Sequence, residues 1–151
     1  MSVDYIVASL QPLRFDGPPP YTWEGFVAML PGGTAPAESA RWRDLETQLR
    51  NAMAVARGGE KWRREAQGCD LYWQRRVAAA FQEKDPLRRE TALDRVWWDA
   101  AGELTPVTSP LSAGALETYA VRLRIAIKRS RISREGGEAI FGKLTAAEPE
   151  L

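Results

Sequence analysis

Histidine is missing from the 151 residues, and cysteine appears once, at Cys69. Without histidine there is no Ser-His-Asp triad, no Cys-His dyad and no imidazole metal site. A lone cysteine makes neither an internal disulfide nor a cysteine-built zinc site. No stretch of about 18 apolar residues is available to span a bilayer. The opening MSVDYIVASLQPLRFD carries an acid at Asp4 and no basic start, so it does not read as a signal peptide. The Gly-Gly pairs lack the lysine and hydroxyl of a phosphate-cradling loop, and neither G-x-G-x-x-G nor G-x-S-x-G occurs. Nothing in the chain reads as a cofactor or metal site. What is present is ordinary for a globular protein, 44% hydrophobic and 27% charged, and the length suits one domain over 1–151.

The net charge of +1 conceals blocks. Residues 41–64 hold seven bases and three acids, and residues 122–134 hold six bases and no acid. Residues 1–40, 65–121 and 135–151 each come to −3. Alternation of this kind pairs off between helices or faces an oppositely charged partner. It lacks the uniform excess of a nucleic-acid binder.

The periodicity predicts about six helices, packed as a compact all-α bundle behind a short extended N-terminal segment. VDYIVASL, residues 3–10, is β-branched and aromatic and reads as a strand or an extended lead-in. Pro18, Pro19 and Pro20 favour a stiff polyproline stretch, either a surface connector or a recognition motif. Thr22 caps a short helix over 23–30. Pro36 opens a helix to about Arg57, with Trp42, Leu45, Leu49, Ala52, Met53 and Ala56 on its apolar stripe. Residues 60–67 read as a weak helical turn. Asp70 caps a helix to about Glu83, with Leu71, Tyr72, Val77, Ala78 and Phe81 as its apolar members. Asp85-Pro86 starts another to about Leu104, with Leu93, Val96, Trp97, Ala100 and Leu104 on one stripe and Trp98 beside it. A helix over 113–131, with Leu116, Tyr119, Ala120, Leu123 and Ile127 facing inward, reads as the most buried. Ser133 caps a last helix to 146, softened by Gly136-Gly137.

Carboxylate pairs offer the only route to acid–base or metal chemistry. Glu90 with Asp94, and Asp94 with Asp99, lie among Arg88, Arg89 and Arg95, so solvated surface is the preferred reading. The lone Cys69 thiol reads as structural or incidental. Of six tryptophans, Trp62 and Trp73 adjoin Arg63, Arg64, Arg75 and Arg76. They read as partly exposed anchors for a protein partner, because tryptophan and arginine dominate interface hot spots. The same residues suit stacking on single-stranded bases, but the acidic blocks around them repel a phosphate backbone. The cluster RLRIAIKRSR, carrying Arg122, Arg124, Lys128 and Arg129, has three readings. It pairs with the acidic helix 85–103, docks an acidic protein, or touches anionic lipid.

Residues 5–30, YIVASLQPLRFDGPPPYTWEGFVAML, resemble the opening of the DUF2764 proteins, an uncharacterised bacterial family, although Gln11 precedes Pro12 where the family has proline directly after leucine. DPLRRETALDRVWWDAAGEL, 85–104, resembles the family's Pro-Leu-x-x-Glu-x-x-Leu-Asp-x-x-Trp helix. ETYAVRLRIAIKRSRISREGGEAIFGKL, 117–144, resembles its tyrosine helix and acidic terminal helix. Together these segments cover about half the chain. The resemblance implies a setting beside bacterial V/A-type rotary ATPases, with distant similarity to their C or d connector subunit, which is much longer. It implies a non-enzymatic accessory that binds stalk or ring subunits in the cytoplasm, peripheral to the inner membrane. It carries over no catalytic residue.

Overall fold

The computed structural model describes residues 2–146 apart from 60, 62 and 67, with side chains described to residue 132. Six α-helices follow one another: α1 Val3–Ser9, α2 Trp23–Ala28, α3 Ala40–Ala56, α4 Leu71–Phe81, α5 Pro86–Ala101 and α6 Ala113–Ala146. Tight 3-10 turns follow α2 at Pro31–Gly33 and α5 at Gly102–Leu104. No strand occurs among the described residues, and the all-α bundle is the observed architecture.

Three caps stand where the sequence places them. Thr22 accepts the Gly25 N–H at 3.0 Å, Asp70 the Tyr72 N–H at 2.9 Å and Asp85 the Leu87 N–H at 3.2 Å. Three expectations are corrected. The segment over 3–10 is helix α1, not strand, because a helical turn seats Ile6 against α6 with only 2% of its surface exposed. Burial of that side chain, worth about 1.5–3 kcal/mol, outweighs the β-branched preference. The chain turns extended at Leu10, two residues before Pro12. Helix α3 starts four residues after Pro36, because Ser39 supplies the cap, accepting the Trp42 N–H at 3.1 Å. The expected break at Ser133 is absent. Backbone 113–146 is one helix of 34 residues, about 50 Å long, and neither Gly136 nor Gly137 takes the positive φ that would end it. The turn expected over 60–67 is irregular at 63–66, and its other positions fall partly outside the described residues.

Helix α6 is the axis of the bundle. Leu116, Ala120 and Leu123 pack with Ile6 of α1, and with Phe26 and Leu30 around α2. Val121, Ile125 and Ala126 pack with the larger cluster built by α3, α4 and α5. An apolar surface wrapping two sides marks a central helix, as the sequence indicates. Residues 10–22 form an irregular strap across it. The Tyr119 hydroxyl donates to the Gln11 carbonyl, and Arg129 Nε donates to the Phe15 carbonyl at 3.3 Å. The Phe15 ring lies between the guanidinium groups of Arg95, at 5.0 Å, and Arg129, at 4.0 Å.

Candidate functional site

Acids buried among the described residues are matched within the bundle. Asp94 is buried, against the expectation of solvated surface. Its Oδ1 accepts the Lys128 ammonium at 2.8 Å, and its Oδ2 faces Arg129 at 3.7 Å. Those partners lie on α6, 34 and 35 residues away in sequence, where local reading does not reach. Glu90 stays exposed, so it and Asp94 do not share a pocket. Asp99 is held by Arg76 at 2.9 Å and Arg95 at 3.3 Å. Burial works against the Arg76 charge, but its bonds to Asp99 and the Tyr72 hydroxyl win and raise its pKa. Among the described residues, no group of three or more acids or thiols could hold a metal ion.

In the second set of expected contact residues, Lys128 and Arg129 pair with an acid of α5, as the first of the three readings predicts, and Arg122 and Arg124 do not. Lys128 and Arg129 neutralise Asp94. Arg122 donates through Nε to the Trp98 carbonyl at 2.9 Å and covers the Trp98 ring at 5.2 Å. Burial lowers its pKa; Asp99 counters this in part and Arg95 adds to it. Arg124 turns elsewhere, to Glu38 at 3.7 Å and onto the Trp23 ring at 4.3 Å. These cations are structural ties as much as surface charge.

The first set is divided. Trp62 lies outside the described residues. Trp73, expected partly exposed, is 4% exposed in the main core. Its indole N–H has no acceptor among the described residues, a cost of about 1–3 kcal/mol that ring packing offsets. The miss has a geometric cause: the inward face of α4 is Trp73, Val77 and Ala80, spaced four and three apart, which turns Leu71, Tyr72 and Arg75 outward. Trp97 and Trp98 are exchanged in the same way, with Trp98 buried and Trp97 half-buried. Arg76 faces a cleft with Trp73, Tyr72, Asp99 and Glu103. Arg63 and Arg75 line a different one, and Arg64 is exposed beside it.

That second cleft, about 330 Å³, runs between the outer sides of α3 and α4. Asn51, Ala52, Val55 and Ala56 form one wall, and Leu71, Gln74, Arg75 and Ala78 the other, with Arg63 beside them. Val55 is 48% exposed and Leu71 59%. Tyr72, 55% exposed, stands next to Leu71 on the same helix. Among the described residues, two cations and no acid line the trough.

A polar stripe on α3 positions the segment leading into this region, and sequence reading stopped at the apolar stripe beside it. Asp44 accepts the Gly68 N–H at 3.1 Å, and Gln48 accepts the Asp70 N–H at 2.9 Å. Asn51 exchanges two bonds with the Arg64 backbone, at 2.6 and 2.8 Å. Positions 44, 48 and 51 recur at four and three, so one helical face grips the backbone of 64–70. That spacing of side-chain amides and an acid was the available signal. Cys69 is exposed within the gripped segment.

No family model, curated protein or solved structure matches the chain. No helix among the described residues is long and apolar enough to cross a membrane.

Proposed function

We propose that this chain is a non-enzymatic interaction protein that holds a protein partner against the α3–α4 side of its bundle. The observation carrying this reading is the placement of Val55, Leu71 and Arg75 together along one exposed trough. Elsewhere the buried acids have cationic or backbone partners: Asp94 takes Lys128 and Arg129, and Glu117 takes the Ser39 N–H at 2.7 Å. A buried carboxylate already engaged by a cation or an amide is poorly placed for acid–base work. Exposed aliphatic side chains beside an arginine in one patch are the makings of an interface.

By the resemblance of residues 5–30, 85–104 and 117–144, the partner is a stalk or ring subunit of a V/A-type rotary ATPase. The chain then works as an accessory at the cytoplasmic, membrane-peripheral side of that machine. The test is affinity capture of the tagged chain in the presence of the ATPase subunits. Wild type enriches a stalk or ring subunit, and Leu71→Ser with Val55→Ser loses it while keeping the helical circular dichroism of wild type. Absence of any stalk or ring subunit from the wild-type eluate refutes the assignment.

A further inference from the structure

We infer that the trough between α3 and α4 is the seat of a single acidic, amphipathic helix of the partner, an inference that rests on the interaction reading above. Its shape and charge both point there. Ala52, Val55 and Ala56 on α3 and Leu71, Gln74, Arg75 and Ala78 on α4 line it at spacings of three and four along each helix. Two helices side by side with small residues between them present the groove into which a third helix sets its ridge. Ala52, Ala56 and Ala78 keep the floor low, so apolar side chains of the incoming helix reach down between Val55 and Leu71. A helix laid this way reads as anchors at i, i+3 or i+4, and i+7.

The charge of the lining selects the sign of the occupant. Arg63 and Arg75 line the trough, with no acid among the described lining residues, and Arg64 is exposed in the adjoining segment. Glutamates flanking the apolar stripe of an incoming helix meet these arginines, whereas lysines meet like charge. Nucleic acid fits less well, because the trough is floored by aliphatic groups and its described lining residues include no aromatic ring. The polar stripe of α3 adds preorganisation. Asp44, Gln48 and Asn51 fasten the backbone of 64–70, so the Arg64–Leu71 edge is set before a partner arrives.

The probe is a fluorescein-labelled synthetic helix of about 14 residues, four turns, with leucine at the anchor positions and glutamate at most others. Its twin replaces every glutamate by lysine, and a third peptide scrambles the first. Fluorescence anisotropy is read against the full chain. The acidic helix binds saturably and at least about tenfold tighter than either control, and it weakens as salt screens the arginines. Ala78→Trp, which fills the trough from an exposed position, and Arg75→Glu, which reverses one lining charge, each weaken it about tenfold or more. Equal binding of the acidic helix and its lysine twin overturns the inference. So does Ala78→Trp binding as wild type does, or no saturable binding of the acidic helix. The same Ala78→Trp chain is used as bait in the capture experiment. If it recovers the same ATPase subunit as wild type, the interaction reading stands and the trough is not the seat. If wild type recovers none, the interaction reading itself falls.

Discussion

Replacing Asp94 by asparagine keeps the shape of the side chain and removes its charge from a site that is 8% exposed. Two cations lose a partner, and they lose unequally. The Lys128 side chain is 51% exposed, so its ammonium turns to water and the lost pair costs at most about 1 kcal/mol. The Arg129 side chain is 21% exposed and tied by its Nε to the Phe15 carbonyl and by stacking to the Phe15 ring. It stays in place beside a neutral amide, at a further cost of about 1–2 kcal/mol. The expected loss is about 2–3 kcal/mol, or about 4–12 °C in Tm for a domain of this size. Glu90→Gln, one helical turn away and exposed, changes stability by less than about 0.5 kcal/mol. Urea unfolding of both variants, followed by tryptophan fluorescence, compares them directly. A loss for Asp94→Asn no larger than that for Glu90→Gln would refute the assignment of Asp94 to a buried ion-pair network.

Three further outcomes are expected. Gly114→Ala destabilises by about 1–3 kcal/mol although alanine favours helix by about 1 kcal/mol, because a Cβ there runs into the Leu104 backbone carbonyl; a gain in Tm refutes the contact. Glu117→Ala removes the acceptor of the Ser39 N–H and costs about 1–3 kcal/mol. Hydrogen exchange then speeds up at the first turn of α3 while α5 is unchanged, and a uniform increase contradicts a local cap. Burial raises the Tyr119 phenol pKa, with Tyr21 adding to it. The folded state therefore holds that proton more tightly than the unfolded chain, so its contribution is complete below the unfolded phenol pKa of about 10 and declines as pH rises past it. Tyr119→Phe flattens that alkaline decline in a pH series of urea midpoints, and an unchanged slope refutes the role.

Signals confined to a few neighbouring residues were legible in the sequence. Thr22, Asp70 and Asp85 are read correctly because a cap and the N–H groups it serves lie within three positions. The apolar face of α6 is read correctly because its period repeats over about three turns, from Leu116 to Ile127. The misses depend on distant chain. Asp94 looks solvated among Arg88, Arg89 and Arg95, and only the arrival of Lys128 and Arg129 makes burial affordable. Helix α1 looks like a strand until α6 offers Ile6 a pocket. Ser39 outranks Pro36 partly because Glu117, from α6, accepts the Ser39 N–H, a role that a glutamate three residues on would fill in a capping box and that Trp42 cannot. At the candidate site, Arg63 and Arg75 were nominated and do line one trough. Leu71 and Tyr72 were placed on the apolar side of α4 and face outward instead. Adjacent helical positions differ by about 100°, so a wrong choice between Tyr72 and Trp73 rotates the whole face.

The strap over α6 bears on the order in which the molecule assembles. Its bonds from Gln11 to Tyr119 and from Phe15 to Arg129 join positions 108 and 114 apart. On the ribosome, residues 11–15 emerge roughly a hundred residues before the helix that will receive them. Helix pairs such as α3–α4, with near-neighbour contacts, settle early, whereas the strap's hydrogen-bond partners on α6 do not exist until that helix has been translated. Docking of 10–22 is therefore a closing event of folding, and until it occurs the Trp98 surface that Phe15 covers stays open to water.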